Sequence, residues 1–128
     1  MNLRNRKLVR TVQIIFGVFI VIFGLIGYFV ELPAPQYNEA ALAFFGALFA
    51  TGYMLYLISI VFVLSGLMFI FDRWSAFGAI LLVPVTFNIL MFHLFLDFTG
   101  FGLALIPVVL NIYLLVVHWP RYEKIFAS

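Results

Sequence analysis

Cysteine is absent from this sequence, and charged residues are scarce. Without cysteine the chain can form no internal disulfide, thiolate metal ligand or thiol relay. Only 9% of its residues are charged, whereas soluble domains typically carry about a quarter. The hydrophobic content of 66%, with 17 phenylalanines, indicates that the solvent is lipid. These features exclude an ordinary soluble domain, and the sequence carries no nucleic-acid-binding signature.

The hydrophobic residues are gathered into four stretches, each long enough for one helix across a bilayer. Roughly 20 apolar residues span the hydrocarbon core. Charged or helix-breaking residues separate the stretches, such as Asp72-Arg73 and the prolines at 33 and 35. The predicted fold is an all-α membrane protein, an antiparallel bundle of four transmembrane helices in a single domain covering residues 1–128. The predicted spans are residues 11–30, 51–71, 74–96 and 101–119.

Basic residues are missing from the connections that follow the first and third predicted spans. These connections contain Glu31, Glu39 and Asp97, but all seven lysines and arginines lie in the other segments outside the spans. Lysine and arginine mark the cytoplasmic side of a membrane protein. The sequence therefore predicts a multi-pass protein of the bacterial inner membrane with both termini in the cytoplasm.

The segment 37–50 (YNEAALAFFGALFA) is too short to span a bilayer alone. Its alanines and phenylalanines, which follow two prolines, predict an interfacial or re-entrant helix before the second span. A simple outward extension of the second span explains the pattern equally well.

Small residues recur on one face of each of the first two spans. Because small residues let membrane helices approach closely, these faces predict packing seams inside the bundle rather than a ligand groove. The same faces are the predicted contacts if the chain binds a protein partner or a second copy. Their residues are Gly17, Gly24, Gly52, Ser59 and Gly66.

Polar residues in the third span fall on two faces. Thr86, His93 and Asp97 share one face, whereas Asn88 lies about 140° from His93 at 100° per residue. The Asp97 carboxylate is predicted to hold the His93 imidazole one turn away. An inert, hydrated polar cap is the alternative. Asn88 is predicted to find a partner inside the bundle.

Prolines at 84 and 107 each leave one helical carbonyl without its donor. Asparagine is well suited to bind such a carbonyl, so Asn88 and Asn111 are predicted to be structural rather than ligand contacts. His93 and Asp97, with Glu31, have no spacing diagnostic of a metal site. No metal site is therefore predicted.

The chain from residue 33 to 126 begins with a P-x-P loop and continues with NEAALAFFGALFATGY, SGLMFIFDRW, LLVPVTFNILMFHLFLD, TGFGLAL and YLLVVHWPRYEKIF. These segments resemble the DoxX-like family of small bacterial four-helix membrane proteins. The resemblance implies a four-helix bundle. It also implies one of several roles: a subunit of quinone-linked sulfur oxidation, a membrane partner of redox enzymes, or an assembly factor. Relatives carry a lysine and a glutamate in the second span where this chain has Ser59 and Phe62.

The predicted function is that of an accessory or assembly partner of a membrane complex, without catalytic residues of its own. The alternative is a quinone-binding membrane subunit of a redox enzyme. In that alternative, His93 and Asp97 would relay protons at the outer face. The quinone pocket would be lined by His93, Asp97, Asn88, Tyr53 and Tyr56.

Overall fold

The computed structural model describes residues 4–30 and 36–127, and every regular element in this part of the chain is a helix. The predicted all-helical class is thus confirmed. Glu31 and the prolines at 33 and 35 lie outside the described residues. The six helices are α1 Arg6–Phe29, α2 Glu39–Ala50, α3 Met54–Ile70, α4 Ser75–Phe95, α5 Phe101–Val117 and α6 Trp119–Phe126.

Local sequence signals account for the ends of these helices. Asn5 and Asn38 precede α1 and α2, and their side chains accept hydrogen bonds from backbone N–H groups of the first turn, as N-cap residues do. Asp72 and Trp74 adopt positive φ angles of 51° and 61° in the short connection from α3 to α4. This left-handed backbone reverses the chain within a few residues, so α3 and α4 are antiparallel neighbours.

The segment 37–50 does not extend the second predicted span. It contains α2, which meets α3 at a bend of 88°. Gly52 lies at the bend with a φ of +81°, a conformation that glycine adopts without the steric cost of a Cβ atom. The prediction that this segment extends the second span is therefore wrong, and α2 is a separate short helix.

Four helices pack in a closed ring around one apolar core. α1 lies along α3, α3 contacts α4, α4 contacts α5, and α5 returns to α1. Aromatic and branched aliphatic side chains from all four helices meet at the centre. The buried residues of this cluster are Phe16, Ile20, Phe62, Phe69, Ala79, Leu82 and Leu114.

The outer surface of the helices is apolar, as in proteins that contact lipid. Phe23, Phe87 and Leu103 are all more than half exposed. α1 and α4 are each long and apolar enough to cross a membrane, and the count rises to four if each bent pair, α2–α3 and α5–α6, is one span. The described helices fit a membrane protein.

The small residues of the first two predicted spans form a packing seam between α1 and α3. A Cβ atom added at Gly17 would lie 2.7 Å from the Gly66 carbonyl oxygen, and one at Gly24 would lie 3.0 Å from the Phe62 Cβ. The bundle-packing interpretation of Gly17, Gly24 and Gly66 agrees with this geometry. Gly52 lies outside the seam, at the bend between α2 and α3.

Candidate functional site

At the end of α4 farther from the lysines and arginines, His93 and Asp97 are both buried. The His93 Nδ1 atom lies 3.2 Å from the backbone carbonyl oxygen of Asp97, not from its carboxylate. The carboxylate accepts hydrogen bonds from the backbone N–H groups of Asn38, at 2.6 Å, and Thr99, at 2.8 Å. The predicted hydrogen bond from the imidazole to the carboxylate is therefore wrong, because α4 ends at Phe95 and the chain then turns the carboxylate toward α2. The charge of His93 still helps to lower the pKa of the Asp97 carboxyl.

The Asp97 carboxylate holds two segments together at this end. Hydrogen bonds from Thr99, first through its side chain, and from the backbone N–H of Asn38 lower the pKa of the Asp97 carboxyl. The Asn38 side chain also donates to the Leu96 carbonyl, and the Tyr37 ring lies 6.3 Å from that of His93, edge to face. The arrangement ties the start of α2 to the connection between α4 and α5.

In the middle of the bundle, Asn111 joins α5 to α4. Its Nδ2 donates to the Ala79 carbonyl at 3.0 Å, and its Oδ1 accepts from the Thr86 hydroxyl at 2.7 Å. Asn111 does not bind the carbonyl that Pro84 leaves without its donor, which is that of Ile80, the next residue. The structural role predicted for Asn111 agrees with these contacts.

Asn88 does not have this role, and the prediction that it finds a partner inside the bundle is wrong. Its side chain is exposed on α4, and no residue in the described ranges hydrogen-bonds to its carboxamide. Pro84, one turn earlier, is exposed on the same side. Thr86, not Asn88, lies on the buried face of α4, and its hydroxyl donates the hydrogen bond that the Asn111 carboxamide accepts.

One of the two tyrosines predicted for a quinone pocket lies in a cleft between α1 and α3. Tyr56 stacks on Tyr28 at 5.8 Å and lines an open cleft of about 410 Å³ between α1 and α3. Neither His93 nor Asn88 lines this cleft, and Tyr53 is exposed at the start of α3. The shared quinone pocket of these five residues stays a prediction.

The basic end of the molecule, where the lysines and arginines lie, holds a polar network centred on Gln13. This side chain of α1 is almost completely buried. Its Nε2 donates to the Asp72 carboxylate at 2.9 Å and lies 3.2 Å from the Ser75 hydroxyl. Its Oε1 lies 2.8 Å from the His118 Nε2, so one glutamine joins α1, the connection from α3 to α4, and the junction of α5 with α6.

Two further groups complete the network. Ser75 donates to the Asp72 carboxylate at 3.1 Å, and Arg10 donates to the carbonyls of Phe69 and Ile70 at the end of α3. The hydrogen bond from Gln13 is the largest effect that lowers the pKa of the Asp72 carboxyl. The hydrogen bond from Ser75 and the positive charge of Arg10 also lower it. Asp72 is therefore held as an anion among cations.

An open cleft of about 650 Å³ lies beside this network. Five cationic side chains line it, and Asp72 is the only carboxylate among its lining residues. The cations come from the residues just before α1, from the start of α1 and from α6. They are Arg4, Arg6, Lys7, Arg10 and Arg121.

The sequence pattern predicts no site at the basic end, although it contains signals for one. Gln13 falls on the small-residue face of α1, and His118 lies seven residues after Asn111 on one face of the last predicted span. Both positions share faces with buried residues, which indicates inward-pointing polar groups. The partner between them, Asp72, comes from a connection whose turn geometry the sequence pattern does not specify.

Comparison of the chain with models of known protein families, with curated proteins and with solved structures found no match. The resemblance to the DoxX-like family stays a prediction from the segments quoted above.

Proposed function

We propose that this chain is an accessory protein of the bacterial inner membrane that acts through contacts between transmembrane helices. It crosses the membrane four times, with α2 at the outer interface, α6 at the inner interface and both termini in the cytoplasm. The DoxX-like resemblance fits such a role. The observation that carries the proposal is the exposed carboxamide of Asn88 on the apolar face of α4.

The position of Asn88 makes this carboxamide unfavourable in a lone bundle. It lies three residues past the middle of α4, about 5 Å away at 1.5 Å per residue. An unpaired amide in hydrocarbon costs several kcal/mol relative to water. The exposed Pro84 and Ile80 extend the same face, and Pro84 deprives the Ile80 carbonyl of its helical donor. This face of α4 therefore offers both donors and acceptors to another helix.

The occupant that best fits this face is a second copy of the chain. A carboxamide both donates and accepts hydrogen bonds. A two-fold axis along the membrane normal places both copies of Asn88 at the same depth, where each satisfies the other. The glycines of the α1–α3 seam are already used within the chain, so the self-contact uses α4. We propose that the accessory role is exercised by this dimer.

Cysteine labelling tests the four-span topology, because the chain has no native cysteine. Single cysteines at Gln36 and Phe98 are expected to react with a membrane-impermeant maleimide in intact spheroplasts. Single cysteines at Asn2 and Ser128 are expected to react only after permeabilisation. Labelling of either terminal position in intact spheroplasts would contradict the proposed topology.

Asn88→Leu is expected to weaken self-association of the purified protein in lipid nanodiscs or bilayers. Intramembrane hydrogen bonds are worth about 0.6 to 2 kcal/mol, so the dimer dissociation constant should rise roughly 3- to 30-fold. Single-molecule photobleaching in bilayers measures the dimer fraction. The variant's melting temperature should not fall, since no described residue bonds to Asn88.

A matched pair of cysteine variants locates the contact. Phe87 on α4 is 59% exposed and Val109 on α5 is 56% exposed, and the two lie at similar depth because Thr86 contacts Asn111. Oxidation should cross-link Phe87→Cys as a dimer but leave Val109→Cys monomeric. Adding Asn88→Leu should reduce the cross-linking, whereas Asn88→Gln should preserve it. Equal cross-linking at both positions, or none at Phe87→Cys, would refute an α4 contact.

A further inference from the structure

A cluster of cations at the basic end is concentrated in one cleft rather than spread over the membrane surface. Five of the seven lysines and arginines line the cleft described above. The two that do not are Arg73 and Lys124. Orientation in the membrane requires basic residues on one side only and does not require them to converge on a cleft.

Three of the cations in this cleft have no counter-charge bound to them within the described residues. The Asp72 carboxylate supplies a single negative charge, and Arg10 is one of the cations whose charge acts on it. Arg6, Lys7 and Arg121 form no ion pair with any residue in the ranges 4–30 and 36–127. Like charges held together repel one another, and an anion placed among them would relieve that repulsion.

The helix geometry adds to the positive potential. Arg6 and Lys7 lie in the first turn of α1, which contains no acidic residue. The N-terminus of a helix carries a partial positive charge, so cations there are unfavourable. The start of α1 and its two cations therefore favour the same occupant, a negatively charged group.

The surroundings of the cleft match the headgroup level of a membrane. α6 bends 65° away from α5 and exposes Ile125 and Phe126 while Arg121 faces the cleft. Such a helix is typical of the membrane interface. α1 continues from the cleft with Ile15 and Val18 exposed, a surface that acyl chains can cover.

We propose that this cleft binds the phosphate group of an anionic phospholipid, with Arg6, Lys7 and Arg121 as its ligands. Arginine and lysine both bind phosphate oxygens, arginine with paired N–H groups and lysine as a point charge. The acyl chains lie along the exposed apolar surface of α1. This binding does not depend on the α4 contact, so failure of one proposal leaves the other standing.

The test compares two double variants of the full chain, purified in a neutral detergent. Arg6→Gln with Arg121→Gln removes two charges from the cleft, and Arg73→Gln with Lys124→Gln removes two charges from the same end outside it. Native mass spectrometry with phosphatidylglycerol gives the dissociation constant for each. At about fivefold per cation, the cleft variant should bind roughly 25-fold more weakly, and the outside variant should stay within about twofold of wild type.

Three results would overturn the proposal. Equal weakening by both double variants would show a diffuse attraction to anionic surfaces instead of a site. Equal affinity of the wild type for phosphatidylcholine would show that net headgroup charge is not recognised. Displacement of phosphatidylglycerol by inorganic phosphate at low millimolar concentration would assign the cleft to a free anion. Because the substituted side chains are exposed, the lipid-free melting temperatures should be equal and should exclude misfolding as the cause.

Discussion

Gly66→Leu is expected to prevent α1 and α3 from packing. A Cβ atom at Gly66 would lie 2.5 Å from the Val21 Cγ2 and 2.7 Å from the Gly17 carbonyl oxygen. A side chain can change rotamer, but the carbonyl oxygen belongs to the α1 backbone and can move only if the helices separate. Separation exposes Phe16 and Phe62 of the core and loses the van der Waals contacts that hold membrane helices together.

The expected effect of Gly66→Leu is at the upper end of those measured for overpacked cores, about 3 kcal/mol or more. Thermal unfolding in detergent and the elution profile of the purified protein report it, as a lowered melting temperature and loss of a monodisperse species. Gly66→Ala tests the same contact with a single methyl group. It should reduce stability by less, because only the Cβ atom itself must be accommodated.

Gly102→Leu is the matched control for this prediction. Gly102 is also a helical glycine, in α5, but a Cβ atom there meets nothing within 4 Å. The control variant should be as stable as the wild type or slightly more so, since glycine disfavours helix by about 1 kcal/mol relative to the best helix formers. Equal melting temperatures for Gly66→Leu and Gly102→Leu would contradict the seam.

Gln13→Leu is expected to have the second largest effect, because it removes the centre of the network at the basic end. Leucine fills a similar volume but leaves His118, Ser75 and Asp72 without the contacts that Gln13 makes. Unsatisfied buried polar groups cost about 1–3 kcal/mol each. Since Asp72 and His118 are only partly enclosed and water reaches them, we expect a total loss of about 2–3 kcal/mol, measured as a lower melting temperature.

The same substitution should change how stability depends on pH. The Gln13 hydrogen bond lowers the pKa of the Asp72 carboxyl in the folded protein. The stability that this provides is present above the ordinary carboxyl pKa and is lost as the pH falls through the lowered value. The difference in melting temperature between wild type and Gln13→Leu should therefore shrink in acid. Gln36→Leu, at an exposed position, is the control and should match the wild type throughout.

Much of the fold follows from the sequence because the length of each hydrophobic stretch is a property of one segment. A run of apolar residues has one favourable structure in lipid, a helix with its backbone satisfied internally. The predicted spans 74–96 and 101–119 accordingly contain α4 and α5, with ends shifted by a few residues. The α1–α3 seam was also predictable, because a row of small residues on one face of a membrane helix lets another helix approach closely.

The polar contacts were decided by the tertiary structure. Helical spacing places Asp97 one turn after His93, but the end of α4 sends its carboxylate to Asn38, far away in sequence. Asn88 and Asn111 are the same residue type in similar apolar surroundings, and only the packing of α4 on α5 makes one buried and the other exposed.

The sequence by itself determined that this is a helical protein with four lipid-soluble stretches, basic residues at one end and small residues on two faces. Each of these properties belongs to a single segment and its solvent. The tertiary structure alone decided that Gln13, Asp72 and His118 form one network and that five cations share one cleft. These groups lie in segments far apart along the chain, and hydrogen bonds or charges act between them only after the helices have packed.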